Sequence, residues 1–179
     1  MERLLQLKKQ QEDRIKDIRK KVTALKAGQH RAVICFFTYS IHVSHDSDQE
    51  SMMIASFHIR NLGHQVMHEP YICLKMSEDS PCQFSGKYVH KAQVAKMKAA
   101  GAWLRMDEEQ AKNEFWLKPL DQNEIEPGGS LTFANFQLRW KPEKSYASIM
   151  QGFAYGKGWE SGVPSLNQMS ASGVKGEGD

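Results

Sequence analysis

At Gly28 the hydrophobic period of this chain changes from three and a half residues to two, so the parts before and after it must bury apolar groups differently. Residues 2 to 27 contain no Gly or Pro and are rich in Leu, Lys, Gln, Glu and Arg, all good helix formers. A heptad frame fits: Met1, Lys8, Ile15 and Val22 take a, and Leu4, Gln11, Ile18 and Leu25 take d. The second half of the seam is apolar, while Lys8 and Gln11 interrupt the first half. A helix of this length is marginal alone in water, so Leu4, Ile15, Ile18, Val22 and Leu25 need a surface to pack on. The expectation is a long N-terminal amphipathic helix that self-associates in parallel as a dimer or trimer, or docks on another subunit. Its rival is the same stripe folding back onto its own domain. Gly28 is a natural C-cap.

After Gly28 the pattern alternates. Val33, Cys35, Phe37, Tyr39, Ile41 and Val43 fall on one face of a long strand; Met53, Ala55, Phe57 and Ile59 repeat the pattern; Ile72, Leu74 and Met76 follow Pro70. Asn61-Leu-Gly63 reads as a turn needing positive φ, and Pro127-Gly-Gly129 as a second turn. Strand character returns around Trp103–Met106, Phe115–Lys118, Ser130–Trp140 and Ser145–Tyr155. Between these, residues 89–100 read as a short helix or an irregular excursion, and Asp107 with Gln110 as a capping box. Within Ser130–Trp140 the apolar parity switches from Leu131 and Phe133 to Phe136, Leu138 and Trp140. That switch predicts a bulge near Ala134-Asn135, or a strand that changes sheets.

About seven strands between turn signals predict a mainly β fold, an antiparallel β-sandwich over residues 31–155. Residues 1–28 are the helix, and the Gly- and Ser-rich residues 156–179 read as a tail unable to form a core. The runs Phe57-His-Ile-Arg-Asn-Leu-Gly63, Pro70-Tyr-Ile-Cys-Leu74 and Ile125-Glu-Pro-Gly-Gly-Ser-Leu-Thr-Phe133 carry a strand–Asn-x-Gly–strand and Pro-Gly-x-x-x-x-Phe rhythm. In that rhythm the chain resembles bacterial immunoglobulin-like sandwiches of the accessory, adhesion and virion-decoration type, over residues 31–155. The resemblance implies an immunoglobulin-like domain that binds or assembles. Its motifs are structural, and it transfers no catalytic residue.

The residues that could carry chemistry point the same way. Seven histidines are many for 179 residues. Yet His42 and His45 on one extended strand face opposite sides, and no Cys/His spacing suits zinc, so no metal is expected. Imidazoles around His42–His68 leave a pH response open, and a metal-dependent enzyme there is the weakest reading. Cys35, Cys73 and Cys82 form no CxxC pair and read as buried free thiols. Gly-x-Ser-x-Gly, P-loop and Gly-x-Gly-x-x-Gly motifs are lacking, so neither a catalytic residue nor a cofactor is assigned. Residues 1–30 hold nine Lys/Arg against four acids, +5 of a chain total of +3, so the remainder is −2. Because those acids are interspersed, a solvated helix face is favoured over phosphate or membrane-surface contact. Trp116 and Trp159 are the candidate partner contacts, and Trp140 reads as core.

The mean hydropathy of −0.58 and the lack of a long apolar run argue against a membrane-spanning helix. No signal peptide is visible, which predicts synthesis and retention in the cytosol unless another export route operates. The expected function is a non-enzymatic structural, assembly or protein-binding module, in the manner of virion components or bacterial surface and spore layers. The alternative is a cytosolic regulatory adaptor that binds a protein partner, with the basic helix contacting that partner or nucleic acid.

Overall fold

A computed structural model of the chain describes residues 9, 11–21, 32–44, 46, 48–91, 101–106, 113–141 and 145–174. Residues 11–21 form a helix, α1, about three turns long, whose every residue is exposed. A coiled coil along residues 1–28 is therefore not shown: Leu4, Val22 and Leu25 lie outside the described residues, as do most of 89–100 and the Asp107–Gln110 capping box. The rest is strand. In chain order these are β1 (Val33–His42), β2 (Ser51–Asn61), β3 (Met67–Met76), β4 (Gln83–Ser85), β5 (Tyr88–His90) and β6 (Trp103–Arg105). Then come β7 (Glu114–Pro119), β8 (Glu124–Ile125), β9 (Ser130–Trp140), β10 (Tyr146–Lys157), β11 (Val163–Pro164) and β12 (Met169–Gly173).

The strands form two sheets. One has the order β1-β2-β9-β4; the other runs β11-β10-β3-β7-β6-β5, with β12 also on β10 and β8 on β3. Every pairing is antiparallel except β5 with β6. Alternation decides which face of each sheet is buried: β2 hides Met53, Ala55, Phe57 and Ile59, and β3 hides Ile72, Leu74 and Met76. The two inner faces share one core. Trp103 meets Phe133 edge-on with centroids 5.2 Å apart, and Phe84 lies 4.1 Å from Phe115. Gly152 of β10 lies tightly against the other sheet. A Cβ there would overlap Phe57 and sit 2.7 Å from Phe37 Cζ, so only glycine lets the sheets meet.

The parity switch in β9 is a bulge. Ala55 pairs with Phe136 and Phe57 with Phe133, which leaves Ala134 and Asn135 opposite Ser56 alone. Asn135 takes φ 55° and its N–H donates to Ser56 Oγ at 3.1 Å. The extra residue turns both Phe133 and Phe136 inward, where their rings stack 5.4 Å apart. The Pro127 turn also forms: Gly128 has φ 78° and Gly129 N–H donates to Glu126 O at 2.8 Å.

Three expectations need correction. The strands are twelve among the described residues, not about seven. Asn61-Leu62-Gly63 does not use positive φ. The fully buried Asn61 amide holds that corner instead: Oδ1 accepts from Gly63 N–H at 3.0 Å, and Nδ2 donates to Gln65 O at 2.7 Å and Ile125 O at 2.9 Å. Finally, of the expected tail 156–179, the described residues 156–174 join the larger sheet and its core. Met169 and Ala171 of β12 are buried, β11 and β12 both pair with β10, and Ser165 N–H donates to Gly152 O at 2.8 Å. A Gly- and Ser-rich stretch can do this because strand pairing uses main-chain groups, with buried Trp159 and Met169 as its large apolar anchors.

Candidate functional site

Three surfaces carry the residues of interest. The first is α1, where Ile15 is 50% and Ile18 60% exposed. The two lie three residues apart and share a face. Neither packs on the sandwich, so the fold-back rival is not what the structure shows for this pair. Arg14, Lys16, Arg19, Lys20 and Lys21 are exposed on the same helix, with Glu12, Asp13 and Asp17 among them.

The second surface is the outer face of the larger sheet. Strand pairing sets Tyr71 opposite Tyr155, and Cys73 between Phe153 and Trp116. The Tyr71 and Tyr155 rings stack 5.1 Å apart with 8° between planes, and Trp116 lies 5.2 Å from Tyr155 and 6.2 Å from Tyr71. All three are half-buried, and burial pushes the Tyr155 hydroxyl above its ordinary range. At the end of the group Trp116 Nε1 donates to Glu114 Oε2 at 3.3 Å, and Lys75 reaches Glu114 at 2.8 Å. Lys75 holds that carboxyl below its usual range, with burial acting against. Trp116 thus sits in an aromatic group and is still partly exposed. Trp159 is different: only 9% exposed, it belongs to the core, and it is not available as a partner contact. The glycines beside it in the sequence offer no apolar cover, so its burial is a product of the tertiary fold.

The third surface was missed by sequence reasoning. Tyr39, Ile41 and Val43 continue the face of Val33, Cys35 and Phe37, yet they are 42%, 44% and 42% exposed because the opposite sheet does not reach them. β1 is also an edge strand. Its first half is covered: Leu166 N–H donates to Cys35 O at 2.8 Å. The Asn167 side chain mimics a neighbouring strand at Phe37, accepting from its N–H at 2.8 Å and donating to its C=O at 3.0 Å. The signal available in the sequence was the run from Ala32 to His45, which has no Asp, Glu, Lys or Arg.

The titratable groups are placed as follows. His58 stacks on Phe36 at 5.1 Å, with Nε2 2.8 Å from Thr38 Oγ1 and Nδ1 3.0 Å from Thr132 Oγ1; burial lowers its pKa. His68 Nδ1 lies 2.9 Å from Glu124 Oε1 at the surface. Among the described residues no three His, Cys, Asp or Glu side chains gather to hold a metal, and His45 lies outside them. All three cysteines are buried and free. Cys35 Sγ donates to Val163 O at 3.2 Å, and burial pushes its thiol up to about 12 while a backbone hydrogen bond at Ala154 acts the other way. A thiol so held is a poor nucleophile. An open depression of about 640 Å³ is lined by Ser77, Glu78, Asp79, Pro81, Lys141 and Tyr146, a setting that presents charge but aligns no nucleophile with a base. No helix among the described residues is long and apolar enough to cross a membrane.

No protein-family model matches the chain, and no curated protein matches it. Solved structures give distant likenesses. A cohesin module from a Clostridium perfringens family 33 glycoside hydrolase is 11% identical with a TM-score of 0.40, over 80% of this chain and 97% of that one. A carbohydrate-binding module (CBM3b) mutant from a Clostridium thermocellum cellobiohydrolase is 11% identical at 0.39, over 74% and 97%. A FixG-related protein from Vibrio parahaemolyticus is 14% identical at 0.36, over 79% and 95%. Likenesses at this level carry no argument about what this chain binds. What the structure itself establishes is a mainly β protein whose two largely antiparallel sheets share one core, with apolar groups held outside that core on α1 and on β1.

Proposed function

We propose that the chain is a non-enzymatic assembly or protein-binding module, in which the helix oligomerises or docks and the sandwich presents a surface. The observation that carries this reading is the outward stripe of Ile15 and Ile18. A helix that leaves such residues in water gains by burying them elsewhere, at roughly 1.5–3 kcal/mol for each side chain. Leu4, Val22 and Leu25 extend the same stripe in the heptad frame and are proposed to share its contact, which would be a parallel dimer or trimer or a docked helix of that geometry. Trp116, with Tyr71 and Tyr155, is the proposed contact on the sandwich. For setting, we propose a virion or a bacterial surface or spore layer, supported only by the immunoglobulin-like rhythm of the sequence.

The mass of the full chain tests this, measured by sedimentation at tens of micromolar beside a chain begun at Gly28 and the variant Ile18→Asp. An oligomeric full chain and monomeric, folded variants are expected. A monomeric full chain that captures no partner through its helix overturns the reading. The exposed basic residues of α1 favour the adaptor alternative, which salt separates: apolar seams survive high salt and phosphate contacts weaken steeply.

A further inference from the structure

The uncovered half of β1 is a main-chain edge left open at one end of the smaller sheet. β4 and β5, the other ends of the two sheet orders, are three residues each, and β11 has only two. Which main-chain groups of β1 point outward is fixed by its existing cap. Asn167 bonds both the N–H and the C=O of Phe37, so those groups face away from β2. Alternation along an antiparallel strand then turns the N–H and C=O of Tyr39 and Ile41 outward too. Among the described residues nothing bonds them. Natural sheets usually guard such an edge with a lysine, a proline, a bulge or an inward charge. Thr38-Tyr-Ser-Ile-His42 has none of these.

We propose that this edge pairs antiparallel with the same edge of a second copy, about a two-fold axis through Ser40, so that the two small sheets become one. This deepens the assembly reading and rests on it. Self-complementarity selects the occupant. The open stretch is bounded by the Asn167 cap at Phe37 and by the end of the strand at His42, and Ser40 is the centre of the register that uses the residues between them. There Tyr39 of each copy exchanges main-chain hydrogen bonds with Ile41 of the other, their side chains on one face. Thr38 lies opposite His42 and Ser40 opposite Ser40, so no like charges meet at neutral pH. A register centred on Tyr39 would displace Asn167, and one centred on Ile41 would run past the strand end. Helices that associate just ahead of β1 would raise the effective concentration of the two edges.

The geometry sets the test. Ser40 opposite Ser40 is a non-hydrogen-bonded pair with Cα atoms roughly 4.5 Å apart, within reach of a disulfide. The native cysteines are all buried, so a cysteine at the exposed position 40 is the accessible thiol. Full-length Ser40→Cys is oxidised mildly at micromolar concentration and followed on non-reducing gels beside Thr38→Cys, which lies on the same face but off the axis. We expect covalent dimer from Ser40→Cys at least tenfold faster than from Thr38→Cys. Adding Ile41→Lys, in a chain shown to be folded by its urea transition, should abolish the difference. Equal rates for the two cysteines, or no effect of Ile41→Lys, overturn the edge pairing. If the rates are equal while the mass still falls with Ile18→Asp, the helix reading stands alone. If the rates are equal and the full chain is monomeric without a helix partner, both fall.

Discussion

Gly152→Ala adds one methyl group where β10 lies against Phe37 and Phe57 of the other sheet. Its Cβ would stand 2.7 Å from Phe37 Cζ and 2.9 Å from Phe57 Cζ, with a nearer Phe57 carbon besides. Ordinary carbon contacts are about 3.5–4.0 Å, so the overlap with Phe37 is roughly 0.8 Å. Neither ring has room to retreat. Phe57 is fully buried and Phe37 nearly so, their centroids are 4.8 Å apart, and Phe37 also abuts Phe136. Overpacking of this kind costs about 1–3 kcal/mol, and two rings displaced at once argue for the upper end. Against that, alanine stiffens the unfolded chain, worth about 0.4–1 kcal/mol. The net loss expected is about 2 kcal/mol. In urea, with a slope of about 1–3 kcal/mol per molar, the midpoint should fall by roughly 1 M. Phe57→Leu should relieve part of the loss, so that the double variant is less destabilised than the two single losses summed. An unchanged or higher midpoint for Gly152→Ala would refute the claim that β10 and the phenylalanines of β1 and β2 close on one another there.

Asn61→Ala should cost about 2–3 kcal/mol, because three main-chain groups lose a buried partner; Asn61→Asp should also destabilise, since a carboxylate cannot donate to Gln65 O and Ile125 O. Urea unfolding checks both, and a loss within about 0.5 kcal/mol for Asn61→Ala would show that the corner does not depend on the amide. For His58 the folded pKa lies below its ordinary 6.5, so the unfolded chain binds the proton more readily. Its contribution is present above pH 6.5 and is lost as pH falls from there through the lowered folded value. Wild type should therefore lose more stability than His58→Gln between pH 7.5 and pH 5.5, and parallel curves would remove His58 as the cause.

The alternating strands were legible because each face of β2, β3 and β9 has one environment. Even the bulge could be read, since a single extra residue must invert the parity between Phe133 and Phe136 if both are to face inward. What could not be read was reach. Parity assigns Tyr39 and Ile41 to the face of Phe37 but says nothing about how far the other sheet extends over them. Two- and three-residue strands such as β4, β8 and β11 are too short to show a period. Residues 157–174 were misread because composition was weighed and main-chain pairing was not: Trp159 and Met169 anchor them, and glycines such as Gly162 lie against the Tyr155 ring. Of the candidate contacts, spacing put Ile15 and Ile18 on one face of the helix but left open whether that face packs on the sandwich. Whether Trp116 or Trp159 was buried depended on neighbours distant in sequence.

The cap on β1 also has a consequence in time. Asn167 is made 130 residues after the Phe37 it covers. At roughly 5–20 residues per second, a growing chain carries the whole β1 edge uncovered for about 7–26 s. Over that interval neighbouring nascent chains on one message could join edge to edge along Cys35–Phe37 as well as along Tyr39–Ile41. Arrival of Leu166 and Asn167 then caps Cys35 and Phe37, so the covered length of β1 is set by residues made long after it.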